Sequence, residues 1–165
     1  MQHRYKSYLA EIEKTHNIIE PYIKKTPLLS SKEFNTKLGM QVFCKAENLQ
    51  VTGSFKIRGA LSAISRLKDE QLEHGVLAYS SGNHAQGVAM AAKCYNTNAT
   101  IIMPKDAPKI KIKNTRLLGA KILFYDRDKD SRENIGEEIA KKNNLTIIKP
   151  YDSLETIFGQ GTTAL

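Results

Sequence analysis

Tryptophan is absent from the 165 residues, and aromatic side chains make up only 7% of them. Proteins that bind single-stranded nucleic acid stack bases on aromatic rings set among basic groups. The one dense basic run, Lys105, Lys109, Lys111, Lys113 and Arg116, has no aromatic residue interleaved. The net charge of +8 therefore reads as solvating surface with some attraction for small anions, and no nucleic-acid role is expected. Cysteine is scarce: Cys44 and Cys94 stand far apart with no C-x-x-C, which points to two core thiols in a reduced protein rather than a disulfide framework. His3, His16, His74 and His84 show no ligand spacing, among themselves or with cysteine, so no metal site is expected. No apolar run approaches a membrane span, and the opening MQHRYKSYLAEIEKTH is charged and amphipathic, unlike a signal peptide. A cytoplasmic location without membrane contact follows as the expectation. Internal repeats and low-complexity segments are also missing, and the 41% hydrophobic and 25% charged fractions are those of a globular chain.

What is present is a regular alternation. Leu9, Ile12, His16, Ile19 and Ile23 mark one face of an opening helix that Pro21 ends or kinks. Thr26 to Leu29 reads as extended. Ser30 or Ser31 then caps a short helix that buries Phe34 and Leu38 and stops at Gly39. Gln41–Glu47 alternates as a strand. From position 75 the rhythm is strand then helix: strands at 76–80, 99–103, 121–125 and 145–148, helices at 84–95, from Pro108 to Gly119, and at 131–143. Asp152 caps a last short helix that Gly159 breaks, and Gly161 and Thr162 start another. Short apolar strands alternating with helices predict right-handed βαβ units: an α/β fold with an open parallel sheet flanked by helices. Residues 75–150 would hold four strands of it, and the segment before them part of a second lobe.

Two stretches carry chemistry. In Glu47–Ala60, ENLQVTGSFKIRGA, the residues Thr52, Gly53 and Ser54 supply a turn and N-caps for a helix whose apolar positions are Ile57, Ala60, Leu61, Ile64 and Leu67. Lys56 then falls in the first turn, where the helix dipole disfavours a cation and pushes the ammonium towards the neutral amine. That is the condition for a nucleophilic or Schiff-base lysine. An ordinary surface lysine fits the same segment, and both readings stand at this point. The second stretch, Ser80, Ser81, Gly82, Asn83 and His84, joins the first sheet strand to its helix, where open α/β sheets place their ligand crevice. Its hydroxyls, amide, imidazole and helix-start backbone amides suit a carboxylate or phosphate, although a plain N-cap loop has the same composition.

GSFKIRGA at 53–60 and SSGNHAQG at 80–87, followed by IIMPKDAPKIK at 101–111, YDRDKDSRE at 125–133 and GQGTTAL at 159–165, resemble the fold-type II pyridoxal-phosphate enzymes. The similarity is to the threonine/serine dehydratases and serine racemases and extends over essentially the whole chain. It implies a tryptophan synthase β-like fold. Residues 1–74 would open the large cofactor-binding lobe, 75–150 would form a small domain that closes over substrate, and 151–165 would return to a large lobe left incomplete.

By the same resemblance Lys56 holds pyridoxal 5'-phosphate and moves the substrate α-proton, Phe55 packs beside the cofactor ring, and Asn83 bonds its phenolic oxygen. Ser80, Ser81, Gly82, Asn83 and His84 receive the substrate carboxylate, and Arg132 matches an arginine that can approach the substrate in the racemase branch. Ser81 is the second, opposite-face acid of the racemase branch. The implied reaction is dehydration and deamination of threonine or serine to a 2-oxo acid and ammonia. Serine racemase or hydroxyaspartate dehydratase activity is the alternative, as is a non-catalytic fragment acting as a binding module. The partner is a small hydroxy-amino acid, and the parent enzyme is expected to be a homo-oligomer. The resemblance also calls for a glycine-rich phosphate cradle, a later group opposite the pyridine nitrogen and, in the racemase branch, a divalent-metal site. No two glycines are adjacent in this sequence, so turnover by the 165 residues alone is expected to be weak or undetectable.

Overall fold

The computed structural model describes residues 2–165; Met1 and the side chains of residues 2–6, His3 among them, lie outside that description. Helix α1 (Gln2–Ile19) passes into a 3-10 turn at Glu20–Tyr22, where Pro21 has no amide hydrogen for a further helical turn. Thr15 and Ile19 are fully buried on its inner face, whereas Leu9 is 50% exposed, so the predicted apolar stripe is shorter than the helix. Strand β1 (Leu28–Leu29) pairs antiparallel with β2 (Cys44–Lys45), and α2 (Lys32–Leu38) lies between them in sequence. Ser31 caps α2 by accepting the Phe34 amide, and Gly39 ends it in the left-handed region at φ +65°.

Two expectations fail here. Phe34 and Leu38 are 50% and 48% exposed, and the predicted strand 41–47 is paired only over Cys44–Lys45. A two-stranded ribbon with no further strand to extend it cannot bury its own apolar side chains. Cys44 is accordingly exposed and is not the core thiol that the composition suggested, whereas Cys94 is half-buried and packs against the main core.

The remaining elements are α3 (Lys56–Ile64), α4 (Asp69–His74), β3 (Val76–Tyr79), α5 (Asn83–Cys94), β4 (Ala99–Pro104), α6 (Lys109–Leu117), β5 (Lys121–Tyr125), α7 (Arg132–Asn143), β6 (Thr146–Ile147) and α8 (Leu154–Gly161), with a 3-10 turn at Thr162–Ala164. The four longer-range strands form one sheet in the order β5-β4-β3-β6, and every pairing is parallel. The two-residue period of a strand sorts their side chains. Val76, Ala78, Ile101 and Met103 join a core with α3, α5 and residues of α6, while Leu77, Ile102 and Tyr125 meet Ala140, Ile135 and Ile139 of α7 on the other face. Both faces are covered, as a parallel sheet requires.

Helix α3 is the centre of the molecule. Residues 57–64 are all buried, because α3 is wedged between α5 and α8. Gly159 is not a helix breaker but an interior residue of α8. A Cβ there would stand 2.7 Å from the Gly59 Cα and closer still to Arg58 O, so only glycine permits this crossing. Helix α8 starts one residue later than predicted, with Ser153 rather than Asp152 accepting the Thr156 amide, and it runs through Gly161 instead of restarting there. Parallel strands end at one edge of the sheet, and there the segments after β3 and β6 lie beside the first residue of α3.

Candidate active site

Lys56 is the first residue of α3, with Phe55 at the N-cap and no side-chain cap bond. The caps expected from Thr52 and Ser54 are not made; both hydroxyl oxygens are buried without a partner. Gly53, at φ +70°, instead closes a backbone turn in which its amide donates to Gln50 O at 2.8 Å. The Lys56 ammonium donates to the Pro150 carbonyl at 2.9 Å and stands 5.2 Å from the Phe55 ring centroid. The same carbonyl accepts the Gln160 side-chain amide at 3.2 Å. Burial pushes the Lys56 amine below its usual value, a cause that adds to the helix-start argument and is invisible in the sequence.

The Ser80–His84 turn continues the sheet into α5. The Ser80 amide donates to Ile102 O at 3.0 Å, and its hydroxyl accepts the Gly82 amide at 3.3 Å. Gly82 is the N-cap of α5, and no side chain caps the helix. The first amides of a helix have no partner inside it, so this terminus can receive a carboxylate. Ser81 and Gly82 are half-buried and Asn83 is exposed. Asn83 Oδ1 accepts a hydrogen bond from Lys111 Nζ at 2.7 Å. His84 is 4% exposed, and its Nε2 lies 2.9 Å from Ile148 O. A carbonyl only accepts, so Nε2 carries the hydrogen, and Nδ1 is left buried with no partner.

The two stretches meet because of Gly87. A Cβ on that residue would lie 3.2 Å from the Lys56 carbonyl oxygen and the Ile57 amide nitrogen, so α5 rests its backbone on the start of α3. The small residues of α5 thus serve a helix–helix approach as well as packing on the sheet. The segment Ile148–Pro150 is the second link, its carbonyls receiving His84 and Lys56 two residues apart. Arg132 is on α7, on the other face of the sheet. It donates to Glu133 at 2.7 Å and stands 5.8 Å from the Tyr79 ring centroid, at the end of β3 and not in contact with Lys56. Gly87, Pro150, Gln160 and Lys111 escaped the sequence reading: a backbone carbonyl has no sequence signal, and the others looked like packing or surface residues.

His84 is expected to make the fold acid-sensitive. Burial pushes its imidazole down to about 4, the Lys56 charge adds to the effect, and the bond to Ile148 O opposes it. An unfolded chain holds this histidine near pH 6.5, so between roughly pH 6.5 and 4 the unfolded state binds more protons and stability falls with pH. The expected loss is roughly 3 kcal/mol over that window, with the contribution fully present above it. Urea titrations across the window should show it, and His84→Gln, which keeps a donor for Ile148 O but does not titrate, should flatten that limb.

Residues 19–165 match the family described as Pyridoxal-phosphate dependent enzyme. The chain is 48% identical over 148 residues to an L-threo-3-hydroxyaspartate ammonia-lyase of Saccharomyces cerevisiae, covering 90% of this chain and 45% of that protein. It is 44% identical to a catabolic L-threonine dehydratase of Staphylococcus aureus, covering 95% of this chain and 46% of that one. The structure of maize serine racemase superposes with a TM-score of 0.90 at 39% identity, over 93% of this chain and 47% of the maize chain. The chain spans about half the length of the curated relatives it matches. With that match running from the end of α1 to the last residue, the chain belongs to the pyridoxal-phosphate dependent enzymes.

Proposed function

We propose that this chain carries the lysine and the substrate-carboxylate turn of an enzyme that eliminates water and ammonia from threonine or serine to give a 2-oxo acid. The observation that carries the reading is that α5, whose start presents the Ser80–His84 turn, rests at Gly87 on the backbone of Lys56, whose burial-depressed amine lies near enough for its charge to act on His84. Family members use pyridoxal 5'-phosphate, and the residues present fit the reactive end of that group. Lys56 is an amine shifted towards its free-base form, and the amide nitrogen of Asn83 is not the end held by Lys111. Lys56 would hold the cofactor covalently, Asn83 would donate to its phenolic oxygen, and Phe55 would lie beside it. When bound, the cofactor supplies an electron sink that stabilises the carbanion left by the α-proton.

The chain's own groups do the rest. The α5 terminus and the Ser80–Gly82 backbone bind the substrate carboxylate, and Lys56 Nζ takes the α-proton. His84, neutral at pH 7, fixes the first turn of α5 to Ile148 without adding a charge beside Lys56. Arg132 is assigned to approach the substrate from the end of β3. Ser81 favours a second reading, serine racemisation or hydroxyaspartate dehydration, in which its hydroxyl serves as the opposite-face acid; the names of the relatives cover all three activities. The 75–150 segment is proposed as the part that closes over substrate. A homo-oligomer is proposed as the functional form, supported by the exposed Leu28, Leu29, Phe34, Met40 and Phe43. A cytoplasmic location is proposed with the support that no helix among the described residues is long and apolar enough to cross a membrane.

The test is to add pyridoxal phosphate, reduce with borohydride and map the adduct by peptide mass. An adduct concentrated on Lys56 is the expected result; none, or one spread evenly over the lysines, would overturn the reading. With L-threonine, L-serine and L-threo-3-hydroxyaspartate as substrates, formation of 2-oxo acid or of the D-enantiomer by the 165 residues is expected to be weak or undetectable, and whichever product is detected separates elimination from racemisation.

A further inference from the structure

We propose that Lys111 is a positioning residue that sets which end of the Asn83 side-chain amide faces the site. The proposal rests on the reading above for what Asn83 meets, but its geometry is that of α5 and α6 alone. Lys111 Nζ lies 2.7 Å from Asn83 Oδ1. An ammonium has donors and no acceptor, so the end it holds can only be the oxygen. The amide nitrogen is then the end left to the site, at a position one helical turn before Gly87, the residue that touches the Lys56 backbone.

The pairing repeats one turn along both helices. Asn114 Nδ2 donates to Gln86 Oε1 at 3.3 Å, and Gln86 Nε2 is buried without a partner. Helix α6 thus lays a row of donors against the amide oxygens of α5 and leaves the nitrogens unused. Orientation matters because an N–H donor to an anionic oxygen makes a charge-assisted bond, whereas the amide oxygen turned to the same place would repel it. Lys111 sits on the flank of the crevice and acts through Asn83; it is not assigned contact with substrate or cofactor.

Five substitutions test this. In the 15N-labelled chain without cofactor, Lys111→Met should shift the Asn83 side-chain amide resonances, and Lys111→Arg, which retains a donor, should move them back towards wild type. Unchanged Asn83 resonances in Lys111→Met would overturn the proposal. In pyridoxal-phosphate titrations, Lys111→Met should weaken uptake about five-fold, the scale of one modest hydrogen bond. The same change should have no further effect in an Asn83→Ala background. Equal weakening in that background would show that Lys111 acts by another route. Lys111→Glu accepts from the amide and turns it over, so it should weaken uptake more than Met does. Lys113→Glu, the same charge change at an exposed neighbour, should stay within about two-fold, since exposed charges are screened. If the wild-type chain takes up no cofactor at Lys56, the elimination reading fails, and the resonance shift still decides the role of Lys111.

Discussion

Arg58→Met is expected to destabilise the chain by about 3–5 kcal/mol, the range for removing one partner of a buried ion pair. Arg58 is 2% exposed. It grips Glu47 with two bonds, Nε to Oε2 and Nη2 to Oε1, both 2.8 Å. Its third nitrogen donates to Thr162 Oγ1 at 3.2 Å, and Thr26 donates to the same carboxylate at 2.6 Å. One guanidinium therefore joins α3 to the turn after β2 and to the last turn of the chain. Burial alone would raise the Glu47 pKa; the Arg58 and Thr26 bonds and the Arg58 and Lys45 charges outweigh it and hold the carboxyl below its usual value.

The sign of the pH dependence follows. A depressed carboxylate contributes stability above its unfolded pKa and loses it as pH falls through the folded one. In Arg58→Met the carboxylate is buried alone and its pKa rises, so the gap between variant and wild type should narrow on acidification. Urea denaturation at pH 7 and at pH 4 measures both effects. The double variant Glu47→Leu with Arg58→Met should recover much of the loss, because well-packed apolar residues can replace a buried pair at little cost. A loss below about 1 kcal/mol in the single variant, or no recovery in the double, would show that the network is not what holds these segments.

This network also marks where the sequence stops being informative. Strands β3 to β5 and helices α5 to α7 are legible because each obeys a local rule. Apolar runs of four to six make the sheet strands, Pro108 precedes α6, Gly119 follows it, and Ser131 caps α7. The failures are non-local. Phe34 and Leu38 have the spacing of a buried face, but burial needs a surface to meet, and none of the described residues supplies it. Gly159 looks like a helix stop, since glycine usually is one; its actual role depends on Gly59 lying across from it, a hundred residues away.

The site divides in the same way. Lys56 and the Ser80–His84 turn stand out because each pairs a chemical group with a helix start. What fixes them in space does not stand out. Gly87 reads as one small residue among several, the Pro150 carbonyl has no side-chain signature, and the acid shift of His84 comes from burial. Arg132 was readable as a residue but not as a position: the structure puts it on α7 against Tyr79 and Glu133, across the sheet from α3.

A chain with alanine at position 56 is expected to fold as wild type and to lose the selective covalent capture of pyridoxal phosphate, leaving only the labelling of exposed lysines. Folding should survive because the lysine is only half-buried. The carbonyl it leaves behind, that of Pro150, still accepts Gln160, so no orphaned acceptor is created. Alanine is the best helix former, and removing a cation from the first turn of α3 relieves its clash with the helix dipole. Stability should therefore stay within about 1 kcal/mol of wild type.

Selective capture should vanish because the amine itself is gone, and Lys56→Arg separates charge from nucleophilicity. A guanidinium keeps the charge and can still donate to Pro150, yet it gives up no proton under these conditions and offers no free amine. It too should fail. Wild-type capture should also persist to lower pH than labelling of the exposed lysines, because burial favours the neutral amine of Lys56. The measurement is borohydride-fixed adduct per chain, mapped by mass and followed against pH, alongside a urea midpoint for each variant. Adduct in Lys56→Ala at the wild-type level would place the reactive amine elsewhere. Loss of both adduct and fold would make Lys56 a structural residue, against the bonding pattern of Pro150.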